Sequence, residues 1–109
     1  MANIAVLGSG GWGTALAVLA NREGHTVSLW SPFQEELDAI RRDGEHKKLL
    51  PGVPVPPSIT LTTDIGCTAD AALTLLVVPS FAIVQTAEKL RGVLRDGALI
   101  ANAGKGIES

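Results

Sequence analysis

Six residues, Gly8-Ser9-Gly10-Gly11-Trp12-Gly13, stand between the apolar run Ile4-Ala5-Val6-Leu7 and the helical pattern Thr14-Ala15-Leu16-Ala17-Val18-Leu19-Ala20. Strand, G-x-G-x-x-G, helix is the context in which this glycine spacing has a chemical meaning: a loop that takes the pyrophosphate of a dinucleotide. Each glycine has its own task. Gly8 permits the tight turn, Gly10 lets a pyrophosphate approach the backbone, and Gly13 lets the helix lie close on the strand. The helix start adds free N–H groups and a partial positive charge aimed at the phosphates. Without the flanking strand and helix, the same spacing would read as a turn followed by a cap.

Other groups with chemical potential are few. Cys67 is the single cysteine, so no internal disulfide forms, and with only His25 and His46 beside it a zinc centre lacks ligands. No metal is expected. His25 follows Gly24 and reads as a turn residue without a carboxylate partner, a poor general base. Asp64 and Asp70 read as helix-start and turn residues. A dinucleotide site also calls for an Asp or Glu about 20 residues beyond the glycines, where it bonds the ribose 2′-OH and selects NAD. Trp30 and Ser31 hold that place, so no carboxylate is expected to repel a 2′-phosphate, and Ser31 reads as a helix cap. Arg41 and Arg42 lie a helix away. The expected cofactor is therefore NAD or NADP, with the preference open. Trp12 is read either as a cofactor contact or as core. Phe81, just after Pro79-Ser80, either walls a nicotinamide pocket or packs in the core.

The elements that must position these residues follow from periodicity. Asn3–Leu7 is a continuous apolar run suited to the buried centre of a parallel sheet. Trp12, Ala15, Leu16, Leu19 and Ala20 repeat at helical spacing and are expected to face that sheet, with Gly24 ending the helix. Thr26–Trp30 is a second strand. Ser31-Pro32-Phe33-Gln34 predicts a helix start, with Ser31 as cap, Pro32 at the first helical position and Gln34 completing a capping box. Phe33, Leu37 and Ile40 form its apolar face, and Asp43-Gly44 ends it. Residues 45–58 carry Pro51, Pro54, Pro56 and Pro57, which forbid a helix and favour a stiff extended connection. Ile59–Thr62 predicts a short strand, Thr63-Asp64 a brief helix, and Leu73–Val78 a buried strand. A helix from Pro79-Ser80 carries Ile83, Val84, Ala87, Leu90 and Leu94. Asp96-Gly97 then turns into a last strand, Ala98–Ala101. This alternation predicts an α/β fold, a Rossmann-type doubly wound parallel sheet that stops after about the fifth strand of six.

Composition narrows the function classes. The chain has 109 residues, 46% of them hydrophobic and 4% aromatic, and a net charge of −2, which suits an Ala/Val/Leu/Ile core and gives no electrostatic reason to bind nucleic acid or an acidic membrane. The basic cluster Arg41, Arg42, Lys47 and Lys48 is interleaved with Asp43 and Glu45 and reads as a solvated helix end. No signal-like segment precedes the first strand and no apolar run approaches a membrane span, so no membrane insertion and a cytoplasmic location are expected.

Taken in order, Gly8-Ser9-Gly10-Gly11-Trp12-Gly13-Thr14-Ala15-Leu16-Ala17, Leu29-Trp30, Leu50-Pro51-Gly52, Val78-Pro79-Ser80 and Lys105-Gly106-Ile107-Glu108 resemble the N-terminal part of the bacterial NAD(P)-dependent glycerol-3-phosphate dehydrogenases. The likeness runs from Met1 to Ser109. The resemblance implies reduction of dihydroxyacetone phosphate, a small phosphorylated substrate, to sn-glycerol 3-phosphate for phospholipid synthesis, by an enzyme that is a homodimer at full length. It implies cofactor contacts at Gly11, Trp12 and Phe33, beside Gly8, Gly10, Gly13 and Phe81, and a Lys105 that touches both cofactor and substrate. Flanked by Gly104 and Gly106 after a strand, Lys105 could neutralise a phosphate or stabilise a developing oxyanion. The family's general-base lysine lies in a second, helical domain. Residues 1–109 are thus expected to be an incomplete Rossmann domain with no catalytic residue of its own and little turnover alone. Ser31-Pro32-Phe33 stands where the family has an arginine or histidine, Leu49 where it has an aromatic residue, and Gly104 where it has threonine or serine. The alternatives are a β-hydroxyacid or ketopantoate-type dehydrogenase, or a nucleotide-binding module without catalysis.

Overall fold

Successive residues of a strand face opposite sides of its sheet, so burial of four in a row means that both sides are covered. Ile4, Ala5, Val6 and Leu7 are all buried, the first and third in one apolar cluster, the second and fourth in another. A computed structural model describes residues 2–48, 50–78 and 99–102, together with Gln85, Thr86, Glu88 and Leu90. Its first elements are β1 (Asn3–Leu7), α1 (Gly11–Arg22), β2 (Thr26–Trp30) and α2 (Gln34–Asp43). A short antiparallel pair follows, β3 (Glu45–His46) with β4 (Leu50–Pro54). Then come β5 (Thr60–Thr62), a 3-10 turn at Ile65–Thr68, β6 (Leu73–Leu76) and β7 (Leu99–Asn102).

The main sheet has five strands in the order β5-β2-β1-β6-β7, all parallel. With the β3–β4 pair set aside, this is the doubly wound order 3-2-1-4-5, and the order reverses beside β1. The three central strands end level with one another. Gly8 N–H donates to the Trp30 carbonyl and Val77 N–H to the Leu7 carbonyl, both at 2.8 Å. One apolar layer joins Ile4, Val6, Val27 and Leu29 to Ala17 and Val18 of α1 and Ile40 of α2, while the other joins Ala5, Leu7 and Trp30 to Leu76, Val78 and Leu90. Thr86 and Leu90, both helical and buried, accord with the helix expected after β6. Ile83, Val84, Ala87 and Leu94 of that pattern lie outside the described residues.

Four expectations are corrected. The buried face of α1 is Gly13, Thr14, Ala17 and Val18; of the expected stripe Leu16 and Ala20 do pack against the core, partly buried, whereas Trp12 and Leu19 are 46% and 55% exposed. Almost every position of α1 is apolar, so spacing did not mark the buried side. Size decides, because only small residues allow the approach that Gly13 makes. Second, α2 starts at Gln34 and lacks a side-chain cap. The Ser31 hydroxyl accepts the Phe33 N–H at 3.1 Å, and Gln34 Nε2 donates to Asp38 Oδ1 at 2.8 Å, so no capping box forms. Phe33 is 64% exposed and off the apolar face, which Leu37 and Ile40 form alone. Third, the proline-rich connection folds partly into the β3–β4 pair. Pro51 and Pro54 are tolerated there because a two-stranded ribbon consists of edges. Fourth, β6 ends at Leu76, two residues early, and the last strand sits one residue later than expected. Both expected glycine stops hold: Gly24 and Gly44 adopt φ of 93° and 71° just past their helices.

Two outcomes follow from this packing. A Cβ on Gly13 would overlap the Gly8 carbonyl oxygen, a clash with backbone. Gly13→Ala should lower the urea-unfolding free energy by about 2–4 kcal/mol, while Gly52→Ala, at φ 82° with open space around it, should cost about 1 kcal/mol. Cys67 packs against the second apolar layer, and burial, reinforced by nearby Asp64, raises its thiol pKa to about 11. Only roughly a thousandth of Cys67 is then thiolate at pH 8. Iodoacetamide alkylation of the folded protein should be slow there and accelerate about tenfold per pH unit toward pH 11.

Candidate functional site

The C-terminal ends of β1, β2 and β6 converge where the strand order reverses, the place at which open α/β sheets hold ligands. From β1 the chain turns at Gly8, whose φ of 126° is closed to other residues and whose added Cβ would lie 2.7 Å from the Val77 carbonyl oxygen. Gly10, extended at φ −68° and ψ −177°, is the N-cap of α1. Its carbonyl accepts the first helical bond, from Thr14 N–H at 2.9 Å. No side chain caps α1 and no acidic residue lies in its first turn. The first turn of α1 therefore lies at the positive end of the helix dipole with no side-chain cap, a setting that suits a phosphate. Thr14 Oγ1 donates to the Ser9 carbonyl at 3.3 Å and holds the loop against the helix.

Gly8, Gly10, Gly11, Trp12 and Gly13 are thus brought together in one turn. The exposure of Trp12 at the mouth of that turn removes the reading of it as core. Phe33, the N-cap position of α2, stands beyond the end of β2 and borders an open groove of about 700 Å³ along α2 and β3. Phe81 and Lys105 lie outside the described residues. His25 is a structural turn residue, its Nδ1 accepting the Ala2 N–H at 3.1 Å. Asp64 caps the 3-10 turn, accepting the Gly66 N–H at 2.8 Å. No group of three His, Cys, Asp or Glu side chains gathers among the described residues.

One feature of the loop was not legible in the sequence. Ser9 donates its hydroxyl to Oε1 of Glu36, on the first turn of α2, and His46 Nε2 of β3 lies 3.5 Å from the same oxygen. A carboxylate thus reaches the glycine loop from α2. The end of β2, where the sequence places no carboxylate, holds Ser31, buried at 1% exposure with its hydroxyl accepting the Phe33 N–H. Glu36 comes from the following helix instead, and the signal available was its place in the first turn of a helix that starts directly beyond β2. Arg42, exposed at the far end of α2, donates to the Asp43 carboxylate at 3.2 Å and holds it below the usual carboxylate range.

The family described as NAD-dependent glycerol-3-phosphate dehydrogenase N-terminus matches residues 3–109. The chain is 42% identical over 108 residues to a glycerol-3-phosphate dehydrogenase (NAD(P)+) of Desulfitobacterium hafniense, covering 99% of this chain and 31% of that protein. It is 47% identical over 106 residues to the protein of that name from Xanthomonas campestris pv. campestris, covering 96% and 31%. The chain therefore spans about a third of the length of the curated relatives it matches. The crystal structure of glycerol-3-phosphate dehydrogenase from Coxiella burnetii superposes with a TM-score of 0.85 at 32% identity, over 93% of this chain and 31% of that one. A 3-hydroxybutyryl-CoA dehydrogenase from Escherichia coli, with TM-score 0.68 and 24% identity over 93% of this chain and 24% of that one, shares the fold.

Proposed function

Because this chain belongs to the family of NAD-dependent glycerol-3-phosphate dehydrogenase N-terminal domains, we propose that it is the cofactor-binding part of an enzyme reducing dihydroxyacetone phosphate to sn-glycerol 3-phosphate. The observation that carries this reading is the uncapped, acid-free N-terminus of α1, raised by Gly8 at the point where the strand order reverses. Gly8, Gly10, Gly11 and Gly13 form the pyrophosphate turn, and Trp12 lies against the bound cofactor from the first turn of α1. Phe33 stands on the adenosine side, beyond β2. Phe81 walls the nicotinamide end, after β6. Bound there, NAD(P)H would supply the hydride for the carbonyl carbon.

Lys105 is placed by the same reading close to nicotinamide and substrate. Its ammonium neutralises substrate phosphate or the negative charge that grows on the carbonyl oxygen. The general-base lysine and most substrate contacts belong to a helical domain outside residues 1–109, and the complete enzyme is a homodimer. A cytoplasmic setting and supply of phospholipid precursors belong to the same proposal. No described helix is long and apolar enough to cross a membrane.

Titration of the intact protein with NADH and NADPH, followed by nicotinamide fluorescence, tests the binding site. Saturable binding is expected, and Lys105→Ala should weaken it by about tenfold, the size of one charge-assisted contact. Absence of binding by demonstrably folded protein would refute the glycine-loop assignment. Turnover of dihydroxyacetone phosphate with none of a β-hydroxyacid is the expected activity, and the reverse preference would move the protein to a different dehydrogenase class.

A further inference from the structure

We propose that Glu36 sets the cofactor preference of this protein, in favour of NAD(H) over NADP(H). The proposal rests on the dinucleotide site described above and names the residue that reads its ribose. In this fold the adenosine ribose lies between the glycine loop and the end of the second strand, where a carboxylate bonds the 2′-OH and repels a 2′-phosphate. The strand-end position itself is closed: Ser31 is 1% exposed, its hydroxyl accepts Phe33 N–H, and its own N–H donates to the Thr62 carbonyl at 3.2 Å. The next group in reach is Glu36. Its Oε1 accepts the hydroxyl of Ser9, the residue between the first two glycines of the loop, so the carboxylate sits on the loop rather than out in solvent.

Two further observations support this role. His46, buried in β3, has its Nε2 3.5 Å from the same Oε1, so the polar neighbours from the loop and from β3 both lie beside that one carboxylate oxygen. The groove that Glu36 shares with Phe33 carries four carboxylates (Glu35, Glu36, Asp43 and Glu45) against two lysines (Lys47 and Lys48), a net negative charge around Glu36. Lys47 is 3.9 Å from the Asp43 carboxylate, and Arg42 is engaged by that same residue. The cations that remain are outnumbered.

The test is calorimetric titration of the intact protein with NADH and with NADPH, repeated on Glu36→Gln, Ser9→Ala and Glu23→Gln, each checked for folding by thermal melting. Wild type should bind NADH at least about tenfold more tightly than NADPH, and Glu36→Gln, which keeps an oxygen for Ser9, should shrink that ratio about tenfold, mainly by tighter NADPH binding. Ser9→Ala, which frees the carboxylate from the loop, should shrink the ratio partway. Glu23→Gln, exposed at the opposite end of α1 and outside the groove, should leave it in place. Wild type that favours NADPH, or a ratio that Glu36→Gln leaves unchanged while both nucleotides bind, would overturn the role of Glu36 alone. Folded wild type that binds neither would overturn the dinucleotide site together with it.

Discussion

Van der Waals contact between Gly13 and the Gly8 carbonyl is the constraint on which the rest of the structure depends. It brings the first turn of α1 down onto the end of β1 with no side chain between them. Gly8 in turn rests on the Val77 carbonyl, so strand, loop, helix and the neighbouring end of β6 meet as bare backbone. Two consequences follow. The helix N-terminus is delivered to the top of the sheet without a side-chain cap, and no bulky residue can stand on the face of α1 that makes the approach. Gly13, Thr14, Ala17 and Val18 line that face for the second reason. The ligand-binding geometry and the packing of the helix are one steric fact.

That fact also explains what the sequence could and could not disclose. The parallel strands were legible, because a strand covered on both sides must be apolar throughout, and Ile4 to Leu7 and Leu29-Trp30 are. The glycine stops of both helices were legible, because Gly24 and Gly44 are needed at positive φ. The orientation of α1 was not. Its sequence is apolar on every side, so a period of 3.6 selects no unique stripe, and the expected one held at Leu16 and Ala20 but not at Trp12 and Leu19. Local chemistry also misled at Ser31. Read alone, Ser-Pro-x-Gln is a good helix start, but here burial of Ser31 beside β5 and its bond to Phe33 N–H use up the hydroxyl before the helix begins. The β3–β4 pair was hidden for another reason, since two strands of two and five residues with two prolines carry almost no periodic signal.

The candidate site divides in the same way. Its glycines were readable because their function is backbone geometry, which sequence spacing encodes directly. The polar link from Ser9 through Glu36 to His46 joins three elements separated by up to 37 positions in the chain, and no local pattern announces such a meeting. A rule keyed to the end of β2 does not look along the helix that follows. The general lesson is physical: a carboxylate can reach the loop from any backbone that passes within a side chain's length, and here α2 passes there.

The two helix starts beside the loop show how one electrostatic device serves opposite ends. At α1 the first turn carries no acidic residue and no side-chain cap, the arrangement that suits an anion at the helix start. At α2 the first turn carries Glu35 and Glu36 and the last turn Arg41 and Arg42, the pattern that stabilises a helix by itself and asks for no ligand. Glu36 belongs to both arrangements. It compensates the α2 dipole and, through Ser9, places a negative charge at the edge of the positive pocket made by α1. On the proposed reading, such a charge makes the space beside the pyrophosphate turn unfavourable to a further phosphate, so affinity and discrimination would be supplied by different helices.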